Sequence, residues 1–217
     1  MNALRRFLTS SLGQKTLMAL TGLGLVGFLV AHLAGNLTLF QGAEALNEYE
    51  HKLESFGPLL YVAEAGLGLL FVVHIGLALR VTARNREARG VGYRQRTHMG
   101  ESTVASRSML ISGLVLLLFL LVHLIDFRVP KAMGSDSVED MGVAVIDRLT
   151  SPIGFLIYMV GLTAMGLHLR HAFASAFQTL GVSHPRYSLW LRNAGFGLAV
   201  VLFVGFASIP IYLMFQS

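Results

Sequence analysis

Apolar residues run along this chain in five long stretches, roughly 16–40, 59–79, 108–125, 152–169 and 191–215. Each approaches the about 20 apolar residues that a helix needs to cross the hydrocarbon of a bilayer. Glu64 stands near the start of the second stretch and is tolerable there only close to the interface. The first stretch is too long for the apolar core of a signal peptide and carries no clear small-x-small cleavage site, so it reads as a helix. Residues 1–15 read as a short interfacial amphipathic segment, with Leu4, Phe7, Leu8 and Leu12 at helical spacing and Arg5, Arg6 and Lys15 as polar flanks. The expected architecture is all-α: one polytopic membrane domain over 1–217 with five transmembrane helices, the first four forming a bundle. The longest loops, about 82–107 and 126–151, are too short for a separate soluble domain.

Composition narrows the class. Of 217 residues, 54% are hydrophobic and 13% charged, and the mean hydropathy is +0.63. A soluble domain carries about 25% charged residues, so disorder and nucleic-acid binding are poor readings despite a pI near 9.9. The formal charge of +5 reflects loop charge bias or attraction to anionic lipid instead. There is no cysteine. That excludes disulfides, thiolate-ligated iron–sulfur clusters, thiolate zinc sites and covalently attached c-type haem.

Charge also sets an expected direction. Arg5, Arg6 and Lys15 precede the first run. Arg80, Arg84, Arg86, Arg89, Arg94, Arg96 and Arg107 lie between the second and third, and Arg170, Arg186 and Arg192 between the fourth and fifth. Thirteen of the 17 basic residues thus share one side, while the other holds Glu44, Glu48, Glu50, Glu54, Asp126, Asp136, Glu139, Asp140 and Asp147. The excess of Lys and Arg on cytoplasmic loops then puts the N-terminus in the cytoplasm and the C-terminus outside.

Ionisable side chains inside a span are costly and point to function. His32, His74, His123 and His168 fall one on each of the first four runs, and the fifth has none. A single intramembrane histidine is as well explained by a polar contact between helices. Four at matched depths are not. At about 1.5 Å per residue, His32 and His123 both lie about 23 Å from the cytoplasmic edge of a ~30 Å core, and His74 and His168 about 7 Å from it. A bis-histidine haem takes two imidazoles at one depth from two facing helices, and a four-helix bundle offers that twice. The contexts repeat as well: Phe28-Leu29-Val30-Ala31-His32-Leu33 resembles Phe119-Leu120-Leu121-Val122-His123-Leu124, with a weaker echo in Phe71-Val72-Val73-His74.

Other residues support or compete with this set. Gly24, Gly27, Gly35, Gly66, Gly68, Gly113, Gly161 and Gly166 let a flat ring approach the backbone or simply allow close helix packing. His171 lies three residues after His168 on a similar face and competes with it, though it is nearer water; depth favours His168. His51, His98 and His184 fall in loops. Propionates need donors: Arg80, Arg84 and Arg170 suit a haem on the cytoplasmic side, and Asn36 with Arg128 or Lys131 an outer one. These arginines equally mark the interface.

With these residues in view, the chain resembles the di-haem cytochrome b membrane anchor of bacterial succinate dehydrogenase and fumarate reductase, the five-helix b558 type. The resemblance rests on Ser10-Ser11-Leu12-Gly13-Gln14-Lys15 with Met18-Ala19-Leu20-Thr21-Gly22, on His32-Leu33-Ala34-Gly35-Asn36-Leu37, on the second- and third-run histidines, and on the stretch from His168 to Gly181. It implies His32 with His123 as axial ligands of a distal haem b, His74 with His168 of a proximal one, and His168 rather than His171. It implies a flavoprotein subunit with covalent FAD, an iron–sulfur subunit, and menaquinone as acceptor. One branch of the family carries protons on a glutamate two residues before the fourth ligand; that position is Gly166 here. Family members also use an acid between the first two helices for quinone proton transfer, which maps best to Glu54, then Glu50.

Two other classes compete: a cytochrome b subunit of another respiratory oxidoreductase, and a haem-free transporter or anchor. The latter calls for midplane acids or broken helices, and the spans carry no midplane acid.

Overall fold

The structure, a computed structural model, describes residues 2–87, 103–134, 140–182 and 184–216. Arg89, Arg94, Arg96, His98, Asp136 and Glu139 lie outside the described residues, as do the side chains of Leu4, Arg86 and Arg107. The elements in order are α1 (Ala3–Thr9), α2 (Ser11–Asn36), a 3-10 turn (Leu37–Gln41), α3 (Ala43–Glu54), α4 (Pro58–Glu87), α5 (Thr103–His123), a π turn (Leu124–Arg128), α6 (Val129–Ala132), α7 (Met141–Thr150), α8 (Pro152–Thr179) and α9 (Pro185–Met214). Every described element is helical, and α2, α4, α5, α8 and α9 are the five long and apolar enough to span a membrane.

Local chemistry sets the helix starts. Ser10 ends α1, and its hydroxyl accepts the Gly13 amide at 2.9 Å to begin α2. Residues 11–15 are therefore the first turn of the long helix, and the short amphipathic segment is α1 alone. Ser151 and Asp140 cap α8 and α7 in the same manner, each such cap contributing about 1 kcal/mol. The turn between α3 and α4 needs Gly57 at φ 56°, and Pro58 starts the next helix. The helices outrun the apolar stretches: α4 and α9 each have 30 residues, or about 45 Å. That length covers the headgroup zones as well as the hydrocarbon.

Packing is uneven. α4 lies against α2, α5 against α8, and α8 sits centrally against α2 and α9. The tight core joins α2, α8 and α9 through Leu33, Leu162, Met165, Leu169, Ala199 and Leu202. At one end α3 and α7 form a cap over Leu39, Leu46, Val145, Leu149 and Leu213. Asn47 clasps the cap: its amide donates to Asp140 at 2.8 Å and accepts from the Gly142 N–H at 2.8 Å. Leu69, Val72, Ile111, Leu118, Leu156 and Val201 are each more than half exposed. In water such a surface is an aggregation hazard; on a multi-pass membrane protein it is the lipid face. The histidine-free α9 thus supplies core packing, while α4 and α5 stand at the edges and frame a cavity.

Candidate haem chamber

One continuous cavity of about 2140 Å³ opens among the helices, and His32, His74, His123 and His168 all line it. Ordinary ligand pockets reach about 1,000 Å³. The wall between them is mainly apolar, with Phe28, Leu29, Phe119, Leu120 and Phe206 prominent, while polar residues such as Asn36, Glu50, Arg170 and Gln178 also line the cavity.

The four histidines sort into two pairs. His32 and His123 lie with ring centroids 5.8 Å apart and planes at 86°. His74 and His168 are near enough to interact electrostatically. Their level is given by their partners. His74 Nδ1 lies 3.2 Å from Thr21 Oγ1 on α2, and His168 Nδ1 lies 3.1 Å from Ser112 Oγ on α5. Thr21 precedes His32 by eleven residues and Ser112 precedes His123 by eleven, so the two pairs are separated by about 16.5 Å along the helices.

The proton positions follow from the same contacts. Thr21 Oγ1 donates to Leu17 O at 2.8 Å, and Ser112 Oγ to Met109 O at 3.2 Å. Each hydroxyl therefore faces its imidazole as an acceptor, and the ring carries its proton on Nδ1. Nε2 of His74 and of His168 is left free for a metal, the usual arrangement for a histidine ligand oriented by an outer partner.

Sequence reasoning gave Thr21 and Ser112 no role beside a histidine, although a signal was present. Met18-x-x-Thr21-Gly22-Leu23 leads to Phe28-Leu29-x-x-His32-Leu33. Met109-x-x-Ser112-Gly113-Leu114 leads, at identical spacing, to Phe119-Leu120-x-x-His123-Leu124. The hydroxyl and glycine in each copy serve the histidine of the next helix. A Cβ on Gly22 would lie 3.1 Å from His74 Cε1, and one on Gly113 would lie 3.5 Å from His168 Cε1. The other glycines divide. Gly24, Gly35, Gly161 and Gly166 pack on Leu70, Tyr49, Phe119 and Phe203, whereas Gly27, Gly66 and Gly68 face open space. Close helix packing explains the first group.

At the α3/α7 end, His123 Nδ1 lies 3.2 Å from Tyr158 Oη, which donates to Asp126 Oδ2 at 3.1 Å; Arg148 Nε donates to the same oxygen at 2.8 Å. None of these three partners was singled out from the sequence. Asn36 lines the cavity, but its amide donates to His32 O at 2.8 Å and faces His32 Nε2 at 3.4 Å. It is thus engaged with the histidine rather than presented to a propionate. Arg128 and Lys131 are also engaged elsewhere. Arg128 donates to Glu64 at 2.6 Å, which explains the acid inside the second span, and Lys131 bridges Glu50 and Glu54. Glu50 lines the cavity and Glu54 does not. The Lys131 hydrogen bond holds the Glu54 carboxyl below its ordinary range.

At the N-terminal end, Arg84 donates to the buried Gln14 amide oxygen at 2.9 Å and ties α4 to the start of α2. Arg80 is exposed and is not a cavity-lining residue. Arg170 lines the cavity with its guanidinium 5.4 Å from the Phe196 ring centre. His171 lines it too, but the Ser112 bond and the Gly113 contact belong to His168.

The residues fit a haem in three respects. Imidazole–metal bonds of about 2 Å on each side put two ring nitrogens about 4 Å apart, which suits centroids at 5.8 Å. Two imidazoles alone fill only the two axial positions of a metal whose other ligands come from a macrocycle. Gly22 and Gly113 leave clearance beside their rings. Ligation by His32 asks its ring to turn away from Asn36.

Five spanning helices around paired histidines define a multi-pass α-helical membrane protein with a two-level imidazole chamber. The succinate dehydrogenase cytochrome b558 subunit of Bacillus subtilis (strain 168) is 27% identical over 173 residues, 78% of this chain and 80% of that protein. This likeness supports the cytochrome b558 membrane-anchor family that the sequence motifs suggested. No family model matches the chain, and no solved structure matches it.

Proposed function

We propose that this chain is the cytochrome b anchor of a succinate:quinone oxidoreductase in a bacterial cytoplasmic membrane, with its N-terminus inside. It is the quinone-reactive part of a succinate dehydrogenase or fumarate reductase and is not catalytic for succinate on its own. The observation that carries the reading is the pair of imidazole pairs, at levels about 16.5 Å apart, lining one cavity. His74 and His168 hold one haem b at the N-terminal end, and His32 and His123 hold another toward α3 and α7. Bound there, the two haems supply one-electron carriers spanning much of a ~30 Å hydrocarbon core. The chain's own residues orient the rings, exclude water with an apolar wall and anchor the assembly in lipid.

The basic N-terminal side seats an iron–sulfur subunit, which receives electrons from a flavoprotein with covalent FAD. Menaquinone takes them at the α3 end. Reducing a quinone consumes two electrons and two protons, so the pocket needs a titratable group near water. Glu50 on the cavity wall, Lys131, Glu54 and the 74%-exposed His51 form a connected polar row from cavity to solvent. This row supports Glu50 as the group exchanging protons with quinone and Glu54 as its link outward.

Purified protein should show two haems per chain in a haemochrome assay and co-purify with a covalent flavoprotein and an iron–sulfur protein. His168→Ala should remove one haem and His171→Ala neither. Glu50→Gln should abolish quinone-linked turnover while artificial-acceptor activity and both haem spectra persist. A haem-free chain, or full quinone turnover in both Glu50→Gln and Glu54→Gln, would refute the corresponding part.

A further inference from the structure

His123 differs from the other three histidines in what stands behind it. His74 and His168 lean on hydroxyls, and His32 on an amide, all neutral groups. His123 leans on a phenol that is bonded to a carboxylate. A phenol has one proton. Tyr158 gives it to Asp126 Oδ2 at 3.1 Å, so the oxygen facing His123 is an acceptor, and His123 carries its proton on Nδ1 with Nε2 turned free. Arg148 Nε holds the same carboxylate oxygen at 2.8 Å.

The setting makes this relay effective. Tyr158 is 7% exposed and the Asp126 side chain 15%, so the charges act with less screening than at a wet surface. Tyr158 is clamped edge-on by Phe119 and Phe127. Asp126 sits in the π turn Leu124–Arg128, directly after His123. Such turns inside helices frequently fall at functional positions.

We propose that Tyr158 and Asp126 are positioning residues that act through His123, making it the most electron-donating of the four imidazoles and lowering the reduction potential of the haem it holds. The inference rests on the haem reading given above. Its physical basis is charge. Reduction adds one electron to the iron, breaks no bond and leaves the Nδ1 proton in place. The oxidised iron carries one more positive charge than the reduced iron, so a more basic ligand and a nearby carboxylate both favour it. Arg148 works in the opposite sense by partly neutralising Asp126.

The test is a redox titration of the purified full complex, followed by haem absorbance and by the low-spin resonance of each oxidised haem. Tyr158→Phe keeps the ring and its packing but removes the relay. It should raise one haem's potential by about a tenfold change in oxidised-over-reduced preference, or about 59 mV for one electron, and change that haem's resonance alone. Asp126→Asn should shift the same haem upward and Arg148→Gln should shift it downward. Opposite signs are the signature that a purely structural role would not produce. Unshifted potentials in Tyr158→Phe and Asp126→Asn, equal shifts of both haems, one common direction for all three variants, or loss of both haems from Tyr158→Phe would each overturn the proposal. If the unsubstituted complex binds two haems and the variants do not shift, this inference fails and the haem reading stands. If the unsubstituted complex binds none, both fail.

Discussion

Removing the Thr21 hydroxyl should loosen the site at the N-terminal end and leave the other untouched. In Thr21→Val the side chain keeps its shape, and His74 Nδ1 loses the acceptor at 3.2 Å. Outer partners of metal-ligating histidines are worth about 10–100-fold in metal affinity, or roughly 1.4–2.7 kcal/mol at 1.36 kcal/mol per tenfold. The hydroxyl is a neutral partner, so the lower figure applies, about tenfold. Ser112→Ala is the matching change at His168. The two hydroxyls face different histidines, which on the proposed ligation lie on opposite sides of one cofactor. Their effects should therefore multiply, to about 100-fold in the double variant. The assay is transfer of haem from the detergent-solubilised complex to an apoprotein scavenger, with each haem followed by its own absorbance. Two results would refute the reasoning: haem retention unchanged in the double variant, or loss confined to the haem held by His32 and His123.

Gly22→Ala should disturb the low-spin resonance of the haem at His74, because its Cβ would lie 3.1 Å from His74 Cε1. Gly27→Ala, which meets open space, should be silent in the same spectrum. Arg84→Leu strips the Gln14 amide oxygen, in a residue 1% exposed, of its donor; unfolding in detergent should show a loss of about 1–3 kcal/mol. Acid should undo the α3/α7 cap from one side of the pH scale only. The hydrogen bond from Lys131 holds Glu54 below its ordinary 4.5, and the Val143 N–H holds Asp140 below 3.8. Their stabilisation is fully present above those ordinary values and is lost as pH falls through the lower folded ones. Protection of the α3 and α7 amides, taken relative to the intrinsic exchange rate at each pH, should hold down to pH 4.5 and fall only below; loss of protection already at neutral pH would contradict the assignment.

The five spans and the pairing of the histidines were legible because both follow from one-dimensional quantities, run length and rise per residue. Glu64 was read as an oddity near an interface, and its partner Arg128 lies 64 residues away in sequence. No local pattern connects them. Arg128, Lys131 and Asn36 were read as propionate donors because donors of the right kind stood at the right depth. In the fold Asn36 turns to His32, Arg128 to Glu64 and Lys131 to Glu50 and Glu54, and a nearby acid or carbonyl takes a donor first. Tyr158, Asp126 and Arg148 were invisible for another reason: a tyrosine in an apolar helix and an acid at its mouth are ordinary apart, and only folding brings them to one oxygen. Thr21 and Ser112 lay in plain view within a repeat, but a repeat searched for through its histidines ends before reaching them.

The repeat divides the ligands in a particular way. α2 with α4 is one helical hairpin and α5 with α8 is another, and each carries one histidine for each level. On the proposed ligation, neither hairpin closes a coordination sphere alone. Each bis-imidazole site would then be a seam between the halves and its cofactor a rivet, so that a chain whose hairpins have not yet met would have nowhere to keep one. Two copies of a single hairpin, side by side and facing the same way, would possess both sites in full. A protein organised like this has the logic of a symmetric dimer folded into one polypeptide, with the fifth helix as the strap that keeps its subunits from parting.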